Sequence, residues 1–123
     1  MKTFAILGSL FALIGVGAGA FGAHAMADRL EPRMLEIWET GVRYQMYHAL
    51  ALFVAAWLYH QTESTVALVA GWSFASGILV FSGSLYLLVF TGVRTFGAIT
   101  PVGGLALMAG WLCCMLAALK LTG

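Results

Sequence analysis

Gln45 and His48 stand three positions apart in the stretch WETGVRYQMYHALAL (Trp38–Leu52), directly after Glu39, Arg43 and Tyr44. On a helix that spacing puts the carboxamide and the imidazole on one face. Another imidazole, His24, closes the preceding apolar run. Histidine exchanges a proton near neutral pH, so His24, Gln45 and His48 could line a small polar cavity. Two imidazoles from separate helices also suit haem iron or another metal. The plainer alternative is that each histidine hydrogen-bonds a neighbouring helix near the lipid headgroups. The candidate polar cluster is therefore His24, Glu39, Arg43, Tyr44, Gln45 and His48. No third ligand stands at zinc spacing, and the expectation is a chain without metal or cofactor.

Catalytic patterns are missing elsewhere. Ser73, Ser76, Ser82, Ser84 and Tyr86 make one apolar run rich in hydroxyls. There is no G-x-S-x-G elbow, phosphate loop, zincin motif or pair of carboxylates within an apolar run. Serines in such runs bond backbone carbonyls or let helices approach. The residues do not point to an enzyme.

Elements that must hold this cluster follow from the composition. The chain has 123 residues, 62% of them hydrophobic and 9% charged, with a mean hydropathy of +0.95. Soluble domains run at roughly 45–50% apolar residues, and their surfaces need about 25–35% charge. Lipid, not water, must cover most of this surface. A net charge of +1 excludes a nucleic-acid footprint, which needs clustered Lys and Arg. Adjacent Cys113 and Cys114 point about 100° apart on a helix and read as small packing residues.

Four runs are candidate spans, at residues 3–25, 44–60, 66–90 and 101–121, against the ~20 residues that cross a bilayer. The first resembles a signal peptide ending in Ala23-His24-Ala25, but it exceeds the ~7–15 apolar residues of such a leader and is expected to be retained. For the fourth, Thr100 is the expected N-cap and Pro101 the first helical residue. Short links favour antiparallel neighbours. The expected fold is all-α: an integral membrane four-helix bundle in one domain, 1–123.

Residues 26–43 carry seven of the eleven charges. On a helical wheel Leu30, Met34, Leu35, Ile37, Trp38 and Val42 fill one side. Arg33, Glu36, Glu39, Thr40 and Arg43 fill the other. This is an amphipathic interfacial helix between spans one and two, with Pro32 suited to its first turn. Glu39 and Arg43 are placed for an i,i+4 ion pair. Whether the helix bends at Gly41 or runs on into the second span stays open. Trp38, Trp57 and Tyr59 read as interfacial anchors, and Trp72 and Trp111 as structural residues. Arg29, Arg33, Arg43 and Arg94 fall on one side and Lys2 and Lys120 on the other, which puts the belt and loop 91–97 in the cytoplasm.

Small residues recur at helical spacing. Gly8, Gly15 and Gly19 mark the first span, Gly77 the third, and Gly103 and Gly110 the fourth. Such ridges let helices pack closely in lipid, within one chain or between copies.

GAFGAHA (19–25), WETGVRYQMYHALAL (38–52), FSGSLYLL (81–88) and GAITPVGG (97–104) together resemble the bacterial domain-of-unknown-function 423 family, whose relatives include the eukaryotic transmembrane protein 256 family. The resemblance implies a small inner-membrane protein of about four helices. It brings no reaction with it, only motif positions: His24, Glu39, Arg43, Tyr44, Gln45, His48, Ser84, Thr100 and Pro101. Two functions are then weighed. One is a module that self-associates or serves as an accessory subunit among other membrane proteins. The other is a small ion or solute transporter or channel with its mouth near His24, Gln45 and His48.

Overall fold

A computed structural model of the chain describes residues 2–122. It contains four helices: α1 (Lys2–Phe21), α2 (Pro32–Thr62), α3 (Thr65–Thr91) and α4 (Thr95–Ala118). A π-helical turn, Gly22–Met26, extends α1. Lys2–Met26, α3 and α4 are long and apolar enough to cross a membrane. Their outward residues are apolar too, with Leu13 71% and Met108 68% exposed.

The belt differs from its expected form. Residues 27–30 are turn and bend, and the helix begins at Pro32, with Glu31 extended before it. Proline at the first helical position gives up an N–H that has no helical partner anyway. From there α2 runs unbroken through Gly41 for 31 residues, about 46 Å at 1.5 Å per residue. The charged face and the Gln45/His48 face therefore belong to one rod. Arg43 Nη2 donates to Thr40 Oγ1 at 3.3 Å, and this bond takes the place of the expected pairing with Glu39.

The start of α4 also needs correcting. It begins at Thr95, so Thr100 is not its N-cap and Pro101 lies inside the helix. The link from α3 shortens to Gly92–Arg94, with Gly92 at φ 72° closing α3. An interior proline leaves the carbonyl four residues back, that of Gly97, without its helical donor. Tertiary contact holds the turn instead. The Ser84 and Thr100 hydroxyls meet across the α3–α4 seam at 2.5 Å, while each also reaches its own helix, at Phe81 O and Phe96 O. One hydroxyl donates across the seam while the other donates along its helix.

The α2–α3 link is two residues, Glu63 and Ser64. Glu63 takes the left-handed conformation (φ 47°), and its N–H donates to Tyr59 O at 2.7 Å. Ser64 then caps α3, its Oγ accepting from Ala67 N at 3.3 Å.

Alanine is the commonest residue of the core. Ala49, Ala51, Ala55, Ala56, Ala67, Ala70 and Ala75 are buried, and Phe4, Leu52 and Phe74 are the large side chains fully enclosed with them. Small side chains bring the rods close, and glycines admit the aromatic rings. Phe4 lies over Gly71 and Phe74 over Gly110. A Cβ at Gly77 would come 2.6 Å from Leu107, one at Gly8 2.8 Å from Phe53, and one at Gly15 2.5 Å from Met46 Sδ. At Gly19 the nearest atom would be Val42 Cγ1 at 3.3 Å. The closest approach to backbone is at Gly103, where a Cβ would run into the main chain of Phe81, which cannot rotate away.

Glycine substitutions should divide accordingly. Gly103→Ala is expected to cost about 1–3 kcal/mol through overpacking. Gly83→Ala, where nothing lies within 4 Å, should be neutral or gain up to ~1 kcal/mol from helix propensity. Unfolding in mixed micelles followed by helical circular dichroism reads both, and equal stabilities would contradict this packing.

Candidate functional site

The polar residues of α2 face its three neighbours in turn. Trp38, buried, donates from Nε1 to Ala18 O of α1 at 2.9 Å. It is thus an inter-helix tie and not the interfacial anchor expected of it. Gly22 makes room for it, since a Cβ there would lie 2.7 Å from the indole Cδ1. Its ring packs on Tyr86 (centroids 4.5 Å) and Phe90 (5.3 Å) of α3.

One turn on, the backbone carbonyl of Gly41 accepts from Ser82 Oγ of α3 at 2.6 Å. Gln45, 3% exposed, follows. Its Nε2 donates to Phe11 O of α1 at 2.8 Å, and its Oε1 accepts from the Tyr86 hydroxyl at 2.6 Å. A carbonyl only accepts, so the Phe11 contact sets which way the carboxamide faces. Gln45 thereby ties α1, α2 and α3 through one side chain.

His48, 6% exposed, turns to the opposite neighbour. Its Nδ1 lies 2.7 Å from Tyr44 O, and Trp111 Nε1 of α4 donates to its Nε2 at 3.0 Å. The carbonyl requires a proton on Nδ1, and the indole, a donor only, requires a bare Nε2. The two bonds together select the neutral Nδ1–H tautomer. Phe74 and Trp111 pack beside the imidazole and edge-on to each other, with their centroids 5.0 Å apart.

An open groove of about 600 Å³ lies against this histidine, between α2 and α4. Tyr44 and His48 form one wall, and Pro101, Gly104, Leu105, Leu107, Met108 and Trp111 the other. Tyr44 stacks on Phe81 with centroids 4.6 Å apart. The groove is apolar apart from the Tyr44 hydroxyl and the edge of an imidazole whose nitrogens are both bonded.

The predicted cluster is therefore divided. Gln45 and His48 are buried but point to different helices. Tyr44 lines the groove. Glu39 and Arg43 are exposed on the charged face. His24 is exposed on the π turn and does not line the groove, so it is not joined to Gln45 and His48. Among the described residues no three His, Cys, Asp or Glu side chains group to hold a metal ion. Cys113 and Cys114 are both free thiols. Sequence reasoning missed Ser82, Tyr86 and Trp111 as partners of this cluster. Each lies in an apolar run where nothing local shows which neighbour its one proton will reach.

Comparison with known proteins agrees with the membrane reading. A family model described as "Protein of unknown function (DUF423)" matches residues 18–104. The chain is 47% identical over 121 residues to the UPF0382 membrane protein YwdK of Bacillus subtilis, covering 98% of each. It is 49% identical over 123 residues to a UPF0382 membrane protein of Staphylococcus epidermidis, covering all of both. A UPF0382 membrane protein of Staphylococcus haemolyticus is 45% identical over the same length. None of these names is that of an enzyme. No solved structure matches.

Two outcomes test the polar ties. Gln45→Leu removes both of its inter-helix bonds and, at ~0.6–1.7 kcal/mol for each in a membrane, should destabilise by about 1–3 kcal/mol. Tyr86→Phe should cost less in that background than in the wild type, because its hydroxyl has already lost its acceptor. Nitrogen NMR of labelled imidazole should show His48 protonated on Nδ1 alone. A proton on Nε2 in its place would refute the Trp111 bond.

Proposed function

The chain belongs to the DUF423 family of membrane proteins, and we propose that it works as a non-catalytic membrane module that docks a second copy of itself in the groove between α2 and α4. The observation that carries this reading is the character of that groove. It is open to lipid and lined by Leu105, Met108 and Trp111, and the ring nitrogens of His48 and Trp111 at its wall have their internal bonds already made. Such a surface offers an apolar helix shape and aromatic contact, with the Tyr44 hydroxyl as its one side-chain donor not engaged within the described residues. Packing of this kind is what associates helices in lipid, where burial of apolar surface gives no gain. The most exposed apolar residues include Met108 and Leu105 themselves, so two copies could pair these faces about a two-fold axis.

In this reading the Tyr44–Thr62 part of α2 crosses the bilayer with its three apolar neighbours, making a four-helix bundle, and Pro32–Arg43 stands at the headgroups. Between Tyr44 and Thr62 there is no Asp, Glu, Lys or Arg. The charges of Arg29, Arg33, Arg43 and Arg94 favour the cytoplasmic face of the plasma (inner) membrane for that end. A transporter with its mouth at His24, Gln45 and His48 is not favoured. Gln45 is closed off by Phe11 and Tyr86, and His24 stands apart.

Disulfide trapping in native membranes tests the docking. In a background with Cys113→Ser and Cys114→Ala, Met108→Cys should give a covalent dimer on mild oxidation. Leu13→Cys, as exposed but on α1, should give little. Equal trapping at both sites, or a strictly monomeric mass in lipid nanodiscs, would remove the proposal.

A further inference from the structure

A second pocket, of about 320 Å³, lies where α2 begins and α3 gives way to α4. Arg33, in the first turn of α2, and Arg94, in the turn before α4, stand at its rim, and Met34, Ile37 and Leu88 form its walls. Leu88 is buried and gives the pocket an apolar floor. Arg43 bonds Thr40, whereas the Arg33 and Arg94 guanidiniums make no side-chain bond among the described residues. No carboxylate is among the five lining residues. Two arginines from separate elements thus share one concavity with no internal counter-charge.

Arginine presents a planar fork of donors that matches the oxygens of a tetrahedral phosphate, and it sheds water more readily than lysine. An apolar wall next to that fork calls for a ligand with both characters. One liquid water takes about 30 Å³, so the pocket has room for roughly ten, more than a bare phosphate fills. The surroundings supply such a ligand: α3 ends and α4 begins within a few residues of Arg94, and both are of membrane-crossing length and apolarity. Basic pockets at the ends of transmembrane helices bind anionic lipid headgroups for these reasons. We propose that the Arg33–Arg94 pocket holds the phosphate of an anionic phospholipid, with its glycerol and upper acyl chain against Met34, Ile37 and Leu88. A free phosphate ion shares the tetrahedral anion but has nothing to set against the apolar wall.

Full-length protein in phosphatidylcholine nanodiscs, titrated with phosphatidylglycerol and read by native mass spectrometry, tests this. The wild type should retain phosphatidylglycerol in preference to phosphatidylcholine. The double substitution Arg33→Gln, Arg94→Gln should weaken that retention at least tenfold, with an unchanged melting temperature as the check on folding. Arg43→Gln should retain the lipid like the wild type, and Arg33→Lys with Arg94→Lys should keep part of the preference. Inorganic phosphate at the same concentration should not displace the lipid. Equal retention of the two lipids by the wild type, equal retention by wild type and the Gln pair, or ready displacement by inorganic phosphate would each overturn the proposal.

Discussion

A polar side chain placed between helices in hydrocarbon has no water to turn to, so it must find its partner inside the chain. That constraint organises the whole structure around α2. Trp38 and Gln45 reach α1, the Gly41 carbonyl and Gln45 meet α3, and His48 meets α4. The seam between α3 and α4 has its own tie at Ser84 and Thr100. The other helices are apolar rods with glycine and alanine notches. α2 is the rod that tells them in which order and at what height to stand, because a one-residue slip would strand several donors at once.

The same constraint explains what the sequence disclosed and what it withheld. The apolar runs of α1, α3 and α4 and their glycine spacing are properties of long windows, and they could be read directly. Polar residues within α2 also declared themselves by being out of place in a greasy stretch. Which partner each would choose was not legible, since it depends on helix rotation and relative height. Gln45 and His48 share a face by spacing, yet three positions also turn that face by about 60°. In a bundle this small, that rotation is enough to send one toward α1 and α3 and the other toward α4.

Errors in the local reading have related causes. Pro101 has the chemistry of a helix start, but six residues before it are held in helix by packing against the end of α3 and by the Thr100–Ser84 contact. Trp38 has the look of an interfacial anchor, yet Gly22 and the Ala18 carbonyl make a socket for it. In both cases tertiary contact overrode a motif whose meaning is statistical. His24 failed for the opposite reason. Its membership of the cluster rested on being near the same end of the molecule, and that proximity is too coarse to join side chains.

The two-residue turn between α2 and α3 fixes which helix the polar groups of α2 meet next along the chain. Closing so short a loop costs little entropy, and Glu63 and Ser64 cap both helices from within it. Joined so closely, α2 and α3 hold Ser82 and Tyr86 against Gly41 and Gln45 as a hairpin. The Phe11 and Ala18 carbonyls of α1 accept from Gln45 and Trp38 of that hairpin. The least greasy helix thus has partners for its polar groups in the segment that directly follows it.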